Sequence, residues 1–187
     1  MCSVMMRDVS RGGAGFTMVE LLVTMTIVIM LVAAAGPVVS EWLIKNRIDA
    51  EVATFRSALT YARSEALSRN IWVTIRENGV RSSDSESLWG NGWQLFTDLN
   101  NDGYLSTSIG EEMLRARIIN LEDLSITWSN DIKRLSYGPR GVTNGGSQNT
   151  LRYCVADDTD HRFAKGITIN AIGRTRIVRG ADVGCTP

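Results

Sequence analysis

GFTMVELLVTMTIVIMLVAAAGPVVS occupies residues 15–40, and from Leu21 to Ser40 it holds no charged side chain. A helix of that length, rising 1.5 Å per residue, reaches across a hydrocarbon core of ~30 Å. Arg7 and Arg11 precede it, which favours a cytoplasmic N-terminal end. Glu20 stands at the mouth of the run, where a carboxylate drawn toward the bilayer centre costs about 2.5–3.5 kcal/mol. An acid in that position calls for a partner. Farther along, Gly36-Pro37 interrupts the run, and a kink or a melted turn is expected there, because proline removes a backbone donor and crowds the preceding turn.

The helical period does not end with the apolar run. Ile48, Val52, Phe55, Leu59, Ala62 and Ala66 step by fours and threes, laying one apolar stripe along a helix. Arg47, Asp49, Glu51, Arg56 and Arg63 fall between them and are expected to face water. The competing reading is a secretory signal peptide, with Leu21–Val32 as its core and Ala33-Ala34-Ala35 as a cleavage site; it would release a free periplasmic protein. The charge at Glu20 and the continuation of the stripe favour one long helix instead.

The segment Gly15-Phe16-Thr17-Met18-Val19-Glu20-Leu21-Leu22 resembles the processing site of type IV prepilins and type II secretion pseudopilins. The resemblance implies cleavage after Gly15 by a prepilin peptidase, and methylation of Phe16 as the new N-terminus. It implies for Glu20 a pairing with the N-terminal amine of a neighbouring subunit during assembly, where opposite charges in lipid offset each other's desolvation. Pro37 matches the family's helix-breaking proline. The expected organisation is a leader over 1–15, a transmembrane and assembly helix over 16–40, its amphipathic continuation over 41–69 and a periplasmic head over 70–187. The expected location is the inner membrane of a Gram-negative bacterium, then a pilus on the cell surface.

Beyond Asn70 the period becomes alternating. Strands are expected at 71–76, 92–96, 113–118, 124–128, 133–137, 151–155, 167–170 and 174–178, separated by glycine, asparagine and aspartate turns. The fold class is therefore α+β, a long helix packed on an antiparallel head. Strand count and order are most similar to the GspH/FimT branch of the pilin family, which implies two β-sheets. Trp72, Trp89, Trp93 and Trp128 read as sheet-packing residues rather than a base-stacking platform.

The 187 residues carry 20 basic and 20 acidic side chains, so no global field draws the chain to nucleic acid. A single histidine, His161, sits in a polar turn beside Asp158 and Asp160 and reads as a solvated loop residue. No GxSxG, HExxH or phosphate-cradling glycine loop occurs, and nothing points to an enzyme or to a cofactor. Asp98-Leu99-Asn100-Asn101-Asp102-Gly103 opens like a calcium loop, with Asp98, Asn100 and Asp102 as oxygen ligands. Its twelfth position is Ile109 rather than a glutamate, so a hairpin turn is the favoured reading. Of three cysteines, Cys2 leaves with the leader, and the exported pair Cys154 and Cys185 is read as a disulfide.

One stretch departs from charge balance. Between His161 and Gly180 lie Arg162, Lys165, Arg174, Arg176 and Arg179 with no acid. Arg174 and Arg176, two apart on a predicted strand, share a face and form a clamp suited to phosphates, with Gly173 allowing a close approach to a ligand. In an arbitrary β protein such a run would be a solvated face balanced by acids elsewhere in the fold. FimT-like minor pilins that bind DNA in natural transformation carry Gly-Arg-x-Arg near their C-terminus, and Gly173-Arg174-Thr175-Arg176 resembles it. The resemblance implies DNA contacts at Arg174 and Arg176, to which sequence proximity adds Lys165, Arg162 and Arg179. Binding would fall on the phosphate backbone with little sequence readout. About four contacts would lose on the order of a hundredfold in affinity between 50 and 200 mM salt. The expected partners are other pilin subunits, the prepilin peptidase, the inner membrane before assembly, and DNA. The alternative is a purely structural subunit, either a GspH-like pseudopilin of a type II secretion system or a pilus-initiating minor pilin without a ligand.

Overall fold

The structure, a computed structural model, describes residues 15–79, 87–120, 123–144, 148–156 and 158–185, with backbone alone at 34–38. The chain divides into two units, Met1–Leu43 and Ile44–Pro187. One helix, α1 (Met18–Arg69), contributes to both. It begins where Thr17 Oγ1 accepts the Glu20 backbone N–H at 3.2 Å, the N-cap half of a Thr-x-x-Glu capping box. Glu20 therefore also lies in the first turn, where a carboxylate complements the helix dipole. Helical backbone continues through Gly36-Pro37, so the melted turn expected there is not found. One missing donor has not driven these residues out of helical dihedrals.

In the first unit the apolar side chains of Phe16, Val19 and the run Leu21–Val32 are exposed. Among the described residues no helix is long and apolar enough to cross a membrane. Leu21–Ala33 by itself is shorter than the ~20 residues a bilayer needs, and the side chains of 34–38 lie outside those described. Residues 1–14, which hold Cys2, Arg7, Arg11 and all but Gly15 of the expected leader, lie outside them too.

In the second unit the apolar stripe is where the sequence places it. Ile48, Val52, Phe55, Leu59, Ala62 and Ala66, joined by Ala58, are at most 3% exposed. Two of the intervening charges are not on the water side. Glu51 is buried and pairs with Arg117, and Arg63 is half-buried. Each sits at the border of the stripe, close enough to a sheet to meet a polar partner there.

All eight expected strands form. They are β1 (Val73–Glu77), β2 (Gly92–Thr97), β3 (Met113–Ile118), β4 (Leu124–Trp128), β5 (Arg134–Tyr137), β6 (Asn149–Val155), β7 (Lys165–Ile169) and β8 (Thr175–Arg179). They build two four-stranded antiparallel sheets, ordered β3-β2-β1-β5 and β4-β6-β7-β8. Phe55 anchors the core edge-on against Trp89, Trp93 and Trp128, with ring centroids 6.0, 5.8 and 6.4 Å away. Those three indoles are core residues as expected, and Trp72 is half-buried. Edge-to-face contacts of this kind add to the burial of large aromatic area.

The connection from β2 to β3 is longer than a hairpin turn. The buried Asp98 accepts from Thr74 Oγ1 at 2.5 Å and from the Gly103 N–H at 3.1 Å. Glu111, also buried, accepts from the N–H groups of Leu99 and Ser106 at 2.8 and 2.7 Å. Asn100 and Asp102 bond each other on the exposed side. These carboxylates organise a loop instead of converging on a cation, and no group of three acidic, histidine or cysteine ligands occurs among the described residues. The connection is thus a loop over 98–112, longer than the hairpin turn expected.

Candidate nucleic-acid interface

The basic stretch forms the β7–β8 hairpin at the edge of its sheet. Its connecting turn is built from within. Asn170 C=O accepts the Gly173 N–H at 2.8 Å, Asn170 Oδ1 accepts the Arg174 N–H at 2.8 Å, and Asn170 donates its own N–H to Arg174 C=O at 3.2 Å. Gly173 sits at φ +75°, and a Cβ there would lie 2.6 Å from Gly141 O and 2.9 Å from the Tyr137 ring. Only glycine fits. The expectation that Gly173 lets the chain approach a ligand is corrected, since this residue is buried and the close approach is to its own fold.

Two outside groups clamp the turn. Arg63 Nη1, on α1, donates to Gly173 O at 3.3 Å. Thr143 donates its backbone N–H to Ala171 O at 3.1 Å. The loop 138–144 therefore lies beside the turn and brings the exposed Arg140 to the same neighbourhood. Neither Arg63 nor Arg140 is near this turn in sequence. The only sign of Arg63 is a basic residue at the border of the apolar stripe.

The five basic residues separate into two groups. Arg174 is exposed in the turn and Arg176 is exposed on β8. Arg176 lies opposite Thr168, which in turn faces Thr150, on the side of the sheet away from the buried Leu151, Ile167 and Ile169. No ion pair of Arg174 or Arg176 occurs among the described residues. Arg162, Lys165 and Arg179 gather at the other end of the hairpin, about 17 Å along the strand at ~3.4 Å per residue. Lys165 pairs across from Arg179 on the inward face. It is buried and its ammonium is bound to Asp49 on α1, so it is not available to a phosphate. Arg179, three residues from Arg176, points to the opposite face and borders a groove with Asp49 and Arg56. Arg162 lies over the Phe163 ring, in a loop whose N–H groups Asp158 gathers, and the half-exposed His161 belongs to that loop.

Cys154 and Cys185 form the expected disulfide, with Cα atoms 5.8 Å apart. It holds the tail over the outer side of the sheet, where Val183 packs with Ala164 and Val178.

A family model described as type II transport protein GspH matches residues 51–173, more than half of the chain. The chain belongs to the GspH family of type IV pilin-like proteins. The type IV minor pilin FimU of Pseudomonas aeruginosa has a similar fold, with a TM-score of 0.57 at 20% identity over 76% of this chain and 93% of that one. A second crystal form of FimU gives 0.50 at 19% identity, covering 78% and 96%. The minor pseudopilin EpsH from the type 2 secretion system of Vibrio cholerae is similar at 12% identity, with a TM-score of 0.49 over 70% of this chain and 95% of that one. A sequence search of curated proteins finds no match. The GspH match ends at Gly173, so Arg174 and Arg176 lie just beyond the part of the chain on which membership rests.

Proposed function

We propose that this GspH-family chain is a minor pilin that captures extracellular DNA for uptake, by phosphate contacts from Arg174 and Arg176. The observation that carries the reading is a pair of exposed arginines, without a carboxylate partner among the described residues, on a turn held rigidly by Asn170, Arg63 and Thr143. Guanidinium groups bind phosphate oxygens well because their fork is planar and always charged. With two arginines at the centre, affinity should fall about tenfold between 50 and 200 mM salt. Several heads in one filament would add avidity to a weak single site.

The remainder of the reading concerns assembly. Peptidase cleavage follows the exposed Gly15, Phe16 is methylated, the apolar helix anchors the subunit in the inner membrane, and Glu20 pairs with a neighbouring amine. The head is then periplasmic and later displayed on a pilus. A second reading, favoured by the family's own description, is a structural pseudopilin of a type II secretion system whose arginines meet another subunit.

The deciding experiment measures DNA binding by full-length protein in detergent micelles across a salt series, wild type against Arg174→Gln plus Arg176→Gln. Salt-sensitive, sequence-tolerant binding that the double variant loses supports DNA capture. No binding at low salt by folded wild-type protein leaves the structural subunit.

A further inference from the structure

Beside the β7–β8 turn lies a cleft lined by Leu59, Thr60, Arg63, Tyr137, Arg174 and Thr175, with the backbone of Gly173 also at its wall. Its polar side chains are all of donor-bearing types, although the Thr60 hydroxyl is already given to Arg56 C=O at 3.0 Å, and no carboxylate borders it among the described residues. Two of those donors are buried without a partner among the described residues, Arg63 Nε and the Tyr137 hydroxyl. Tyr137 is wholly buried, and an unmet buried polar group is costly enough to be rare in native proteins. Burial pushes the Tyr137 phenol up to about 12, against a downward pull from Arg63, so at neutral pH it remains a hydroxyl able to donate. Arg63 Nη1 is already directed at Gly173 O, which leaves its Nε edge without an acceptor.

A cleft of donors with an uncompensated guanidinium suits an anion that brings several acceptor oxygens. A tetrahedral oxyanion has them, and the guanidinium edge matches two of its oxygens at once. We infer that this cleft is a subsite for one phosphoryl group, bound by Arg63, Tyr137 and Arg174. For its source the inference rests on the DNA-capture reading: a backbone phosphate of the bound strand enters as the strand crosses Arg174 and Arg176. Free inorganic phosphate has the same chemistry. Arg63 then has two tasks, holding the turn through Gly173 and contacting the ligand that the turn presents.

The test follows the Arg63 Nε–H resonance of full-length protein in micelles, assigned by its loss in Arg63→Lys. The probes are inorganic phosphate, balanced against chloride at constant ionic strength, and a single-stranded DNA of about 12 nucleotides, a length within the usual single-strand site sizes. Both probes are expected to move the signal. Arg63→Lys and Tyr137→Phe should each weaken DNA binding about five- to tenfold, with the fold intact, and should remove the advantage of phosphate over chloride as a competitor. Tyr137→Phe disturbs no hydrogen bond of the turn, so it decides the matter if Arg63→Lys loosens Gly173. A signal moved by phosphate in a protein that binds no DNA supports the subsite with free phosphate as its source, while the DNA reading falls. If DNA binding depends on Arg174 and Arg176 but is unchanged in Arg63→Lys and Tyr137→Phe, with the Arg63 signal unmoved by either probe, the subsite is overturned and DNA capture stands.

Discussion

Arg63 Nη1 donates to the carbonyl of Gly173 at 3.3 Å, across 110 residues of sequence. The long helix of the head thereby fixes the turn that carries Arg174. Gly173 has no room to move in response, since its Cα faces Gly141 O and the Tyr137 ring.

Gly173→Ala should accordingly do more than add a methyl group. The φ of +75° and the 2.6 Å approach to Gly141 O predict a loss of about 1–3 kcal/mol, read by denaturant unfolding. DNA affinity should fall along with it, although no charge has changed. Wild-type stability in this variant would mean that the turn relaxes freely.

Strand parity separates the arginines. Arg176→Gln is expected to reduce the slope of log affinity against log salt by roughly 1. Arg179→Gln, on the opposite face, should leave that slope unchanged. Equal effects from both would place the nucleic acid along the edge of β8 instead of on its outer face.

Lys165 belongs to the packing between helix and sheet. Asp49→Asn would leave its buried ammonium without a counter-charge, at a cost of about 1–3 kcal/mol; the half-exposed Asp49 holds this toward the lower end through solvent screening. Thermal unfolding at two salt concentrations measures it. DNA binding should be retained in Asp49→Asn.

Reducing the Cys154–Cys185 bridge should cost roughly 3–4 kcal/mol in the chain-entropy model, for a sequence separation of 31. Unfolding of the Cys154→Ser plus Cys185→Ser variant, compared with the oxidised protein, gives the value. A difference near zero would mean that the packing of Val183 against Ala164 and Val178 holds the tail unaided.

Alkali should weaken the head through its buried phenols. Burial raises the Tyr137 pKa from 10.0 to about 12 and also raises that of Tyr153, with Glu51 adding to the effect. A phenol that holds its proton more tightly when folded contributes fully below pH ~10 and loses that contribution as the pH climbs toward 12. Unfolding free energy should thus be level up to about pH 10 and decline above it. Tyr137→Phe should make the decline shallower, and an unchanged decline would remove Tyr137 as its source.

The architecture was readable because each element obeys one period throughout. The stripe from Ile48 to Ala66 could only bury against sheets, and eight alternating runs with turn residues between them could only pair antiparallel. What escaped was set by tertiary neighbours. Glu51 and Arg63 look like the water-facing charges around them, and only the arrival of Arg117 and Gly173 makes them inward groups. Lys165 stands in a basic run, yet alternation along β7 turns it toward Asp49 while Arg176 on β8 turns outward. The Gly-Arg-x-Arg motif marked the turn on which the proposed site rests, but Arg63, Tyr137 and Arg140 come from a helix, a strand and a loop far off in the chain. No local pattern links them.

The bridge between Cys154 and Cys185 has a topological effect as well. The whole β7–β8 hairpin, Lys165 to Arg179, lies inside the covalent ring that it closes. A protease outside the cell that nicks the exposed loop around Asp160 and Arg162 would open one backbone bond without freeing a fragment. The arginine-bearing turn would stay attached to the head through the disulfide alone, its N-terminal side having been cut.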